Sequence, residues 1–299
     1  MAAVTANYSD YLSTKWQKVL VNVQKEMPLL YPRWFRVEDM DTNPYLAVKI
    51  SGMPPQPYKP EGQQFTAALP IPGGNFSITA IPFGQLFSVT WEMWRDDLYG
   101  VMMKMWADMG RSMRFRQEIQ AWSMVNNAFG TPTGYDATTF FNTAHADLDG
   151  TTQSNRPSPD VTLSQTAIQA GQLNFRLLND ETSRPSGIEA TRVGIHPTNT
   201  PLARELFGSS GKTQTANNEL NALLVDELTW APIRYFTRTQ DWILMAPPEE
   251  TDMVYMWRDR PRSRQFDDPF TDAADFTTYQ RMAQFVGDWR SGYGSSIGI

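Results

Sequence analysis

With 299 residues, 41% of them hydrophobic, the chain can bury a substantial core in one elaborate domain or two ordinary ones. Its formal net charge of -6 excludes a binder that holds nucleic acid by bulk positive charge, and the absence of cysteine excludes disulfides, thiolate nucleophiles and Cys-ligated metals. No apolar run reaches the roughly 18 to 20 residues of a membrane span, and the opening MAAVTANYSDYLSTKW lacks the basic and apolar regions of a secretory signal, so assembly in the cytosol is expected.

The first predicted element is an amphipathic helix over Tyr11 to Met27, with Leu12, Trp16, Leu20, Val23 and Met27 on one face and Pro28 ending it. From Val48 to Val89, prolines and glycines punctuate short alternating stretches such as Phe76, Ile78 and Ala80, which predicts a two-stranded β excursion with a loose tip. A hairpin of that kind is marginal alone in water and calls for a surface to lie on, here that of a neighbouring subunit. Thr90 to Phe129 reads as one long helix, ~60 Å if unbroken. Thr90 is its N-cap and Glu92, Asp96 and Asp97 complement the dipole of its first turns. Its apolar stripe runs through Trp91, Trp94, Leu98, Val101, Met102, Met105, Trp106, Met109 and Met113, with a bend expected near Gly100 or Gly110.

Gly130 to Asp160 is turn-rich and polar. A second helix is predicted over Leu163 to Leu178, with Ile168, Leu173, Leu177 and Leu178 inward. Strand signals follow at Ala190 to Ile195, Leu223 to Leu228, Ile233 to Thr237, Trp242 to Met245, Met253 to Arg258 and Phe276 to Phe285, with a short helix at Pro201 to Phe207. Helix-rich first and strand-rich later is the α+β order. The abundant Trp and Met suit either a core or surfaces covered by other subunits.

Chemical motifs are weak. His145 and His196 are the only histidines and neither has a metal-ligand or triad spacing. Gly208 to Thr213 ends like a phosphate loop but has Leu206 where the first glycine belongs. Gly294 to Gly298 partly matches a nucleophile elbow, with no helix or histidine after it, and reads as a polar tail. His145, Asp147, Asp149 and Gly150 open like a calcium loop, but Arg156 stands at the closing position, which leaves an Asp-stabilised turn. The carboxylate pairs Asp96/Asp97, Glu249/Glu250 and Asp267/Asp268 motivate a carboxylate-dependent glycoside hydrolase as a rival reading. Along an extended strand Arg258, Arg260, Arg262 and Arg264 point to one side: they form either a solvated basic edge or a surface for an acidic partner, which Asp267, Asp268 or Asp272 of this or a neighbouring subunit would supply, as would phosphate, with subunit contacts favoured in a chain that is acidic overall.

Several segments, in order, resemble the major capsid proteins of tailed bacteriophages. Phe140, Phe141 and Asn142 with His145 and Leu148 are similar to a signature that follows the spine helix in some of those families. Gly194 to Pro197 with Pro201, Leu202 and Ala203 resembles their strand-Pro-short-helix unit. Ala216 to Asn221 with Val225 and Leu228, then Asp241 to Met245, and finally Phe285 to Gly294 resemble later segments. The resemblance implies an α+β subunit with an N-terminal arm (1–47), an extended β loop (48–89), a peripheral domain with a spine helix (90–186 plus 252–299) and an axial domain (187–251). It implies a structural protein with no cofactor, metal or catalytic residues, assembling as pentamers and hexamers into an icosahedral head around double-stranded DNA contacted non-specifically. Many relatives carry an N-terminal scaffolding segment or fused protease. This chain shows neither, so a separate scaffolding protein is expected, with a portal and a decoration protein as further partners, no membrane, and assembly in the host cytoplasm. A bacterial nanocompartment shell of the same fold is the alternative. Candidate subunit contacts are Arg258, Arg260, Arg262, Arg264, Asp267, Asp268, Lys59, Phe76, Trp91 and Trp94. Some relatives crosslink through a lysine of the extended loop; Lys49 and Lys59 are the lysines of this one, Lys59 nearer the tip, and a solvated side chain is the plainer reading.

Overall fold

The computed structural model describes residues 18–19, 22–23, 25–50, 52, 56–65, 67, 72–97, 100–131, 134–147, 150–208, 228–268 and 273–297. The expected first helix falls partly outside them; residues 18–19, 22–23 and 25–26 are helical, and Val23 is buried as its spacing predicts. A 3-10 turn at Tyr31–Arg33 leads to strand β1 (Arg36–Asp39). Strands β2 (Tyr45–Ile50) and β3 (Pro72–Ile78) pair as an antiparallel hairpin. Strand β4 (Ile81–Thr90) follows, and the sheet pairing puts it in the body and not in the hairpin.

The long helix is broken. Thr90 caps a short helix, Trp91–Arg95, accepting from the Met93 N–H, and the spine helix proper runs over Val101–Asn127, 27 residues, or roughly 40 Å at the usual rise. Gly100 sits between them with φ 64°, the left-handed region that favours glycine, and has no side chain to cap the helix. The Asp97 carboxylate does so instead, accepting from Val101 N–H at 2.8 Å and Met102 N–H at 3.0 Å. The break therefore falls at Gly100, while Gly110 continues inside the helix.

Strands β5 (His145–Ala146) and β6 (Thr152–Gln153) form a minimal hairpin, and a helix at Gln165–Leu177 packs on a second sheet. That sheet is built from β7 (Arg192–Ile195), β8 (Thr229–Pro232), β9 (Trp242–Met245) and, from the far end of the chain, β12 (Gly292–Ser295), in the order β12-β9-β7-β8. A short helix at Thr200–Gly208 covers it. The main sheet has the order β1-β10-β11-β4, where β10 (Met253–Asp268) and β11 (Ala273–Val286) form a long antiparallel pair and β1 joins β10 in parallel.

Three expectations are corrected. The predicted strand at Ile233 to Thr237 is a turn, because β8 ends at Pro232 and only Ile233 continues the ladder, donating its N–H to the Ile195 carbonyl at 2.8 Å; the predicted Leu223 to Leu228 strand lies mostly outside the described residues. In the Gln165–Leu177 helix the buried face is Ala167, Ile168, Gly171, Gln172 and Phe175, leaving Leu173 and Leu177 outward. Gly171 selects that face: a Cβ there would come within 2.4 Å of a Leu244 methyl and 2.9 Å of the Tyr293 ring, so only glycine lets the helix approach the sheet so closely. Finally, Gly294 to Ser296 is no polar tail. Ser295 and Ser296 are buried, and Ser296 Oγ donates to Asp241 Oδ1 at 2.6 Å.

The spine helix is clamped at both ends by separate apolar clusters. Met102, Trp106 and Met109 meet Val89, Ala274 and Phe276, whereas Ala121, Trp122, Met124 and Val125 enter the main core with Trp34, Phe35, Phe140 and Tyr255. Val101 and Met105, on the expected stripe, are exposed. Between the clusters the helix contacts β11 through amides, with Gln117 Nε2 donating to Gln280 Oε1 at 2.8 Å and Gln280 Nε2 to the Met113 carbonyl at 3.2 Å.

Candidate assembly surface

The β2–β3 hairpin leaves the body at a charged root. The inward residues Ala47 and Ile78 pack with Val254, Met256 and Phe285, and the next inward-reaching side chain, Lys49, places its ammonium 2.8 Å from Asp288 and against Glu181. Arg290, itself buried, pairs with Asp147, lies 3.1 Å from Asp288 and 3.8 Å from Glu181, and donates Nε to the Asn179 carbonyl at 2.7 Å. One arginine thus ties the β5–β6 hairpin, the 179–181 turn and the C-terminal segment together. Behind it the His145 ring stacks on Trp289 at 4.1 Å and 6°, with Nδ1 2.6 Å from Asp136 and Nε2 3.1 Å from Asn155. Asn155 in turn donates to the carbonyls of Phe140, Trp289 and Gly292. His145 is fully buried with both ring nitrogens engaged, the surroundings of a structural residue; His196 accepts from the Thr198 N–H and caps a 3-10 turn.

The charges are tuned by this packing. Burial raises the Asp288 carboxyl, but Lys49 and Arg290 beside it outweigh that and leave it below its ordinary value. Burial likewise opposes ionisation of Asp136, yet hydrogen bonds from His145 and Thr138 hold it at about 2, against 3.8 when free. Lys49 is raised above 10.5, since Asp288 and Glu181 outweigh burial. A depressed carboxylate stabilises the fold above its free value and ceases to do so as pH falls through its folded value. A raised lysine contributes below its free value and is lost as pH climbs through the folded one. Thermal midpoints of the subunit should therefore fall between about pH 4 and 2 and again above about 10.5. Asp136→Asn should lower the neutral midpoint and flatten the acid limb. An unchanged acid limb in that variant would discard the assignment.

The sequence-predicted contact residues divide. The β10–β11 register slips between Trp257/Asp259, at Arg258, and between Asp259/Arg262, at Pro261, so the four arginines do not line one side. Arg258 donates to the carbonyls of Met40 (2.9 Å) and Asp41, and Arg260 makes a two-pronged pair with Asp39 at 3.1 and 2.8 Å, so the acid that meets it is on β1 of the same chain. Arg262 and Arg264 lie beyond the stretch of β10 that pairs with β1, which ends at Trp257. Asp267 and Asp268 end β10 opposite Ala274 and Ala273, and their side chains lie outside the described residues. Lys59 is exposed and 4.6 Å over the Phe65 ring; Phe76 contacts Phe285 at 6.0 Å; Trp94 stacks on Trp106 at 5.5 Å, which makes it a core residue first; Trp91 is exposed. At the hairpin tip Tyr58 is 90% and Phe65 82% exposed, a large apolar outlay for a chain standing alone. The root cluster of Asp147, Glu181, Asp288 and Arg290 was not singled out as a unit by spacing, because its members come from three distant segments; the likenesses of Phe140 to Leu148 and of Phe285 to Gly294 to capsid signatures marked two of them.

A hairpin projecting from a two-sheet body crossed by a long helix defines a shell-subunit fold. The family model described as phage capsid protein matches residues 76–295. The chain belongs to that family and has the fold of tailed-phage major capsid proteins. Among solved structures it is similar to the capsid of the cyanophage P-SCSP1u, with a TM-score of 0.60, 13% identity and 89% and 87% of the two chains covered. It is similar to the virus-like particle of Pyrococcus furiosus, at 0.53, 9%, 95% and 98%, and to the procapsid of bacteriophage JBD30, at 0.50, 14%, 100% and 77%. No curated protein matches the sequence.

Proposed function

We propose that the chain is the repeating subunit of an icosahedral phage head, forming pentamers and hexamers that close around double-stranded DNA. Its work is association and not catalysis. The observation that carries this is the hairpin: two nearly bare aromatic rings toward the tip and an ion-pair cluster tying its root to the body, in a chain matched to the capsid family over most of its length. In this reading 1–47 is an arm, 48–89 the loop, 90–186 with 252–299 the peripheral part and 187–251 the axial part; a scaffolding protein, a portal and a decoration protein are its partners, and heads form in the host cytoplasm. Many modest contacts, repeated by symmetry, supply the strength of such a shell.

Deleting residues 56–67 across a short Gly-Ser bridge should leave a soluble subunit with wild-type circular dichroism that builds no closed shells by electron microscopy. Wild-type particles from the deletion would remove the loop from assembly. The likeness to a virus-like particle favours a second reading, a shell around protein cargo. Particles purified from cells carrying the rest of the phage genes separate the two: nuclease-protected DNA supports the head, and DNA-free particles filled with protein support the compartment.

A further inference from the structure

The outer face of β4, β11 and β10 carries three guanidinium groups, Arg262, Arg264 and Arg281, with no ion-pair partner among the described residues, and the first two line one hollow. Cross-strand register places Gly84, Tyr279 and Arg262 in one row, Leu86, Thr277 and Arg264 in the next, and Ser88, Asp275 and Phe266 in the third. Alternation along β11 turns Phe276, Thr278 and Gln280 toward the spine helix and leaves Thr277, Tyr279 and Arg281 on the outer side. Because Gly84 contributes no side chain, Arg262 lies over the Tyr279 ring at 4.7 Å and a hollow of about 420 Å³ opens beside it. Its apolar walls, Leu86 and Phe266, are 59% and 53% exposed.

The opposite chemistry stands just past the end of β4. In the Trp91–Arg95 helix and the residue that closes it, Trp91 and Met93 are exposed beside the exposed carboxylates of Glu92 and Asp96, while Asp97 is occupied in capping the spine helix. Leu86 and Thr90, where β4 ends, are four residues apart, ~13 Å along the strand, and no ion pair joins Arg262 or Arg264 to Glu92 or Asp96 within the chain.

We propose that the hollow receives the Trp91–Asp96 segment of a second copy. Glu92 and Asp96 meet Arg262 and Arg264, and an apolar side chain of that segment enters between Leu86 and Phe266. This rests on the reading of the chain as a shell subunit and names one of its contacts. Two different patches make a head-to-tail contact, the kind that propagates around rings and shells. A second copy fits better than a polyanion, because the walls of the hollow, Leu86 and Phe266, are apolar and a phosphate backbone offers nothing to cover them.

The test is a charge exchange. Arg262→Glu with Arg264→Glu, and separately Glu92→Arg with Asp96→Arg, should each lower the assembled fraction by about tenfold or more, as loss of one side of a buried charge contact does, with the melting of the free subunit unchanged. All four changes together should restore shells. As the chain has no cysteine of its own, Met93→Cys with Phe266→Cys gives an independent reading: assembled particles under mild oxidation should run as disulfide-linked multimers on a non-reducing gel. Wild-type shells with exchanged variants that assemble normally, or a cysteine variant that stays monomeric on the gel, overturn the contact alone. Exchanged arginine variants that form normal shells but lose retained nucleic acid overturn it in favour of a polyanion site. Wild-type protein that never assembles removes the shell reading and this contact together.

Discussion

Arg290→Ala is expected to destabilise the subunit by about 3 to 5 kcal/mol, the cost of leaving a buried charge without its partner. Arg290 and Asp147 are both almost completely enclosed, and the guanidinium also reaches Asp288, Glu181 and the Asn179 carbonyl while lying 4.5 Å from the Trp289 ring. Truncation removes every one of these contacts and gives Asp147 no solvent in exchange. Arg290→Lys should recover only part of the loss, since an ammonium cannot reproduce the flat fork of donors. Coupling Arg290→Met with Asp147→Asn should cost less than the sum of the two single changes, because the second removes the charge that the first strands. Urea unfolding of unassembled subunits measures all five variants, the two single changes of the coupled pair included. A loss below about 1 kcal/mol for Arg290→Ala, the value of a surface pair, would mean the cluster is open to water.

The second large effect is expected at Trp122, where replacement by alanine should cost about 3 to 5 kcal/mol. The ring is fully enclosed, 5.0 Å from Phe35 and 5.7 Å from both Trp34 and Phe236, and its Nε1 donates to Glu118 Oε2 at 2.9 Å. Glu118, raised by burial above the usual carboxylate range, also accepts from the backbone N–H groups of Leu30 and Tyr31. Emptying the Trp122 site therefore loosens the turn by which the N-terminal segment enters the body, and amide exchange should accelerate at residues 29–35 before it does in β10 or β11. Leu177→Ser is the contrast. This leucine is 67% exposed despite its place in an apolar pattern, and its replacement should change stability by no more than about 0.5 kcal/mol. Equal losses at Trp122 and Leu177 would contradict the packing described above.

Local rules made part of the fold legible. Thr90 as a cap, the alternation of Phe76, Ile78 and Ala80, the strands at Ala190 to Ile195 and Trp242 to Met245, and the helix around Ile168 all follow from side-chain period and backbone chemistry. The failures have equally local causes. Leu173 and Leu177 share helical spacing with Ile168 and were indistinguishable from core residues until Gly171 showed which face meets the sheet. The arginine run obeys strand alternation only where no residue is inserted, and two bulges, at Arg258 and at Pro261, break it. Gln117 and Glu118 are polar residues at buried positions, invisible to a hydrophobic stripe because their partners, Gln280 and the Leu30 and Tyr31 amides, lie far away in sequence.

By itself the sequence determined the α+β class, a helix start at Thr90, a Pro- and Gly-rich hairpin segment, and a family membership carried by short signatures from Phe140 to Gly294. These are properties of neighbouring residues or of ordered motifs. Only the tertiary structure decided that β12 closes the second sheet beside β9, that Lys49 anchors the hairpin while Lys59 stays at its exposed tip, and that Arg260 meets Asp39 while Arg262 and Arg264 remain unpaired among the described residues. Each of these joins groups separated by tens to hundreds of residues. The attraction between such groups depends on distance and burial in the folded chain, and neither quantity is written in residue order.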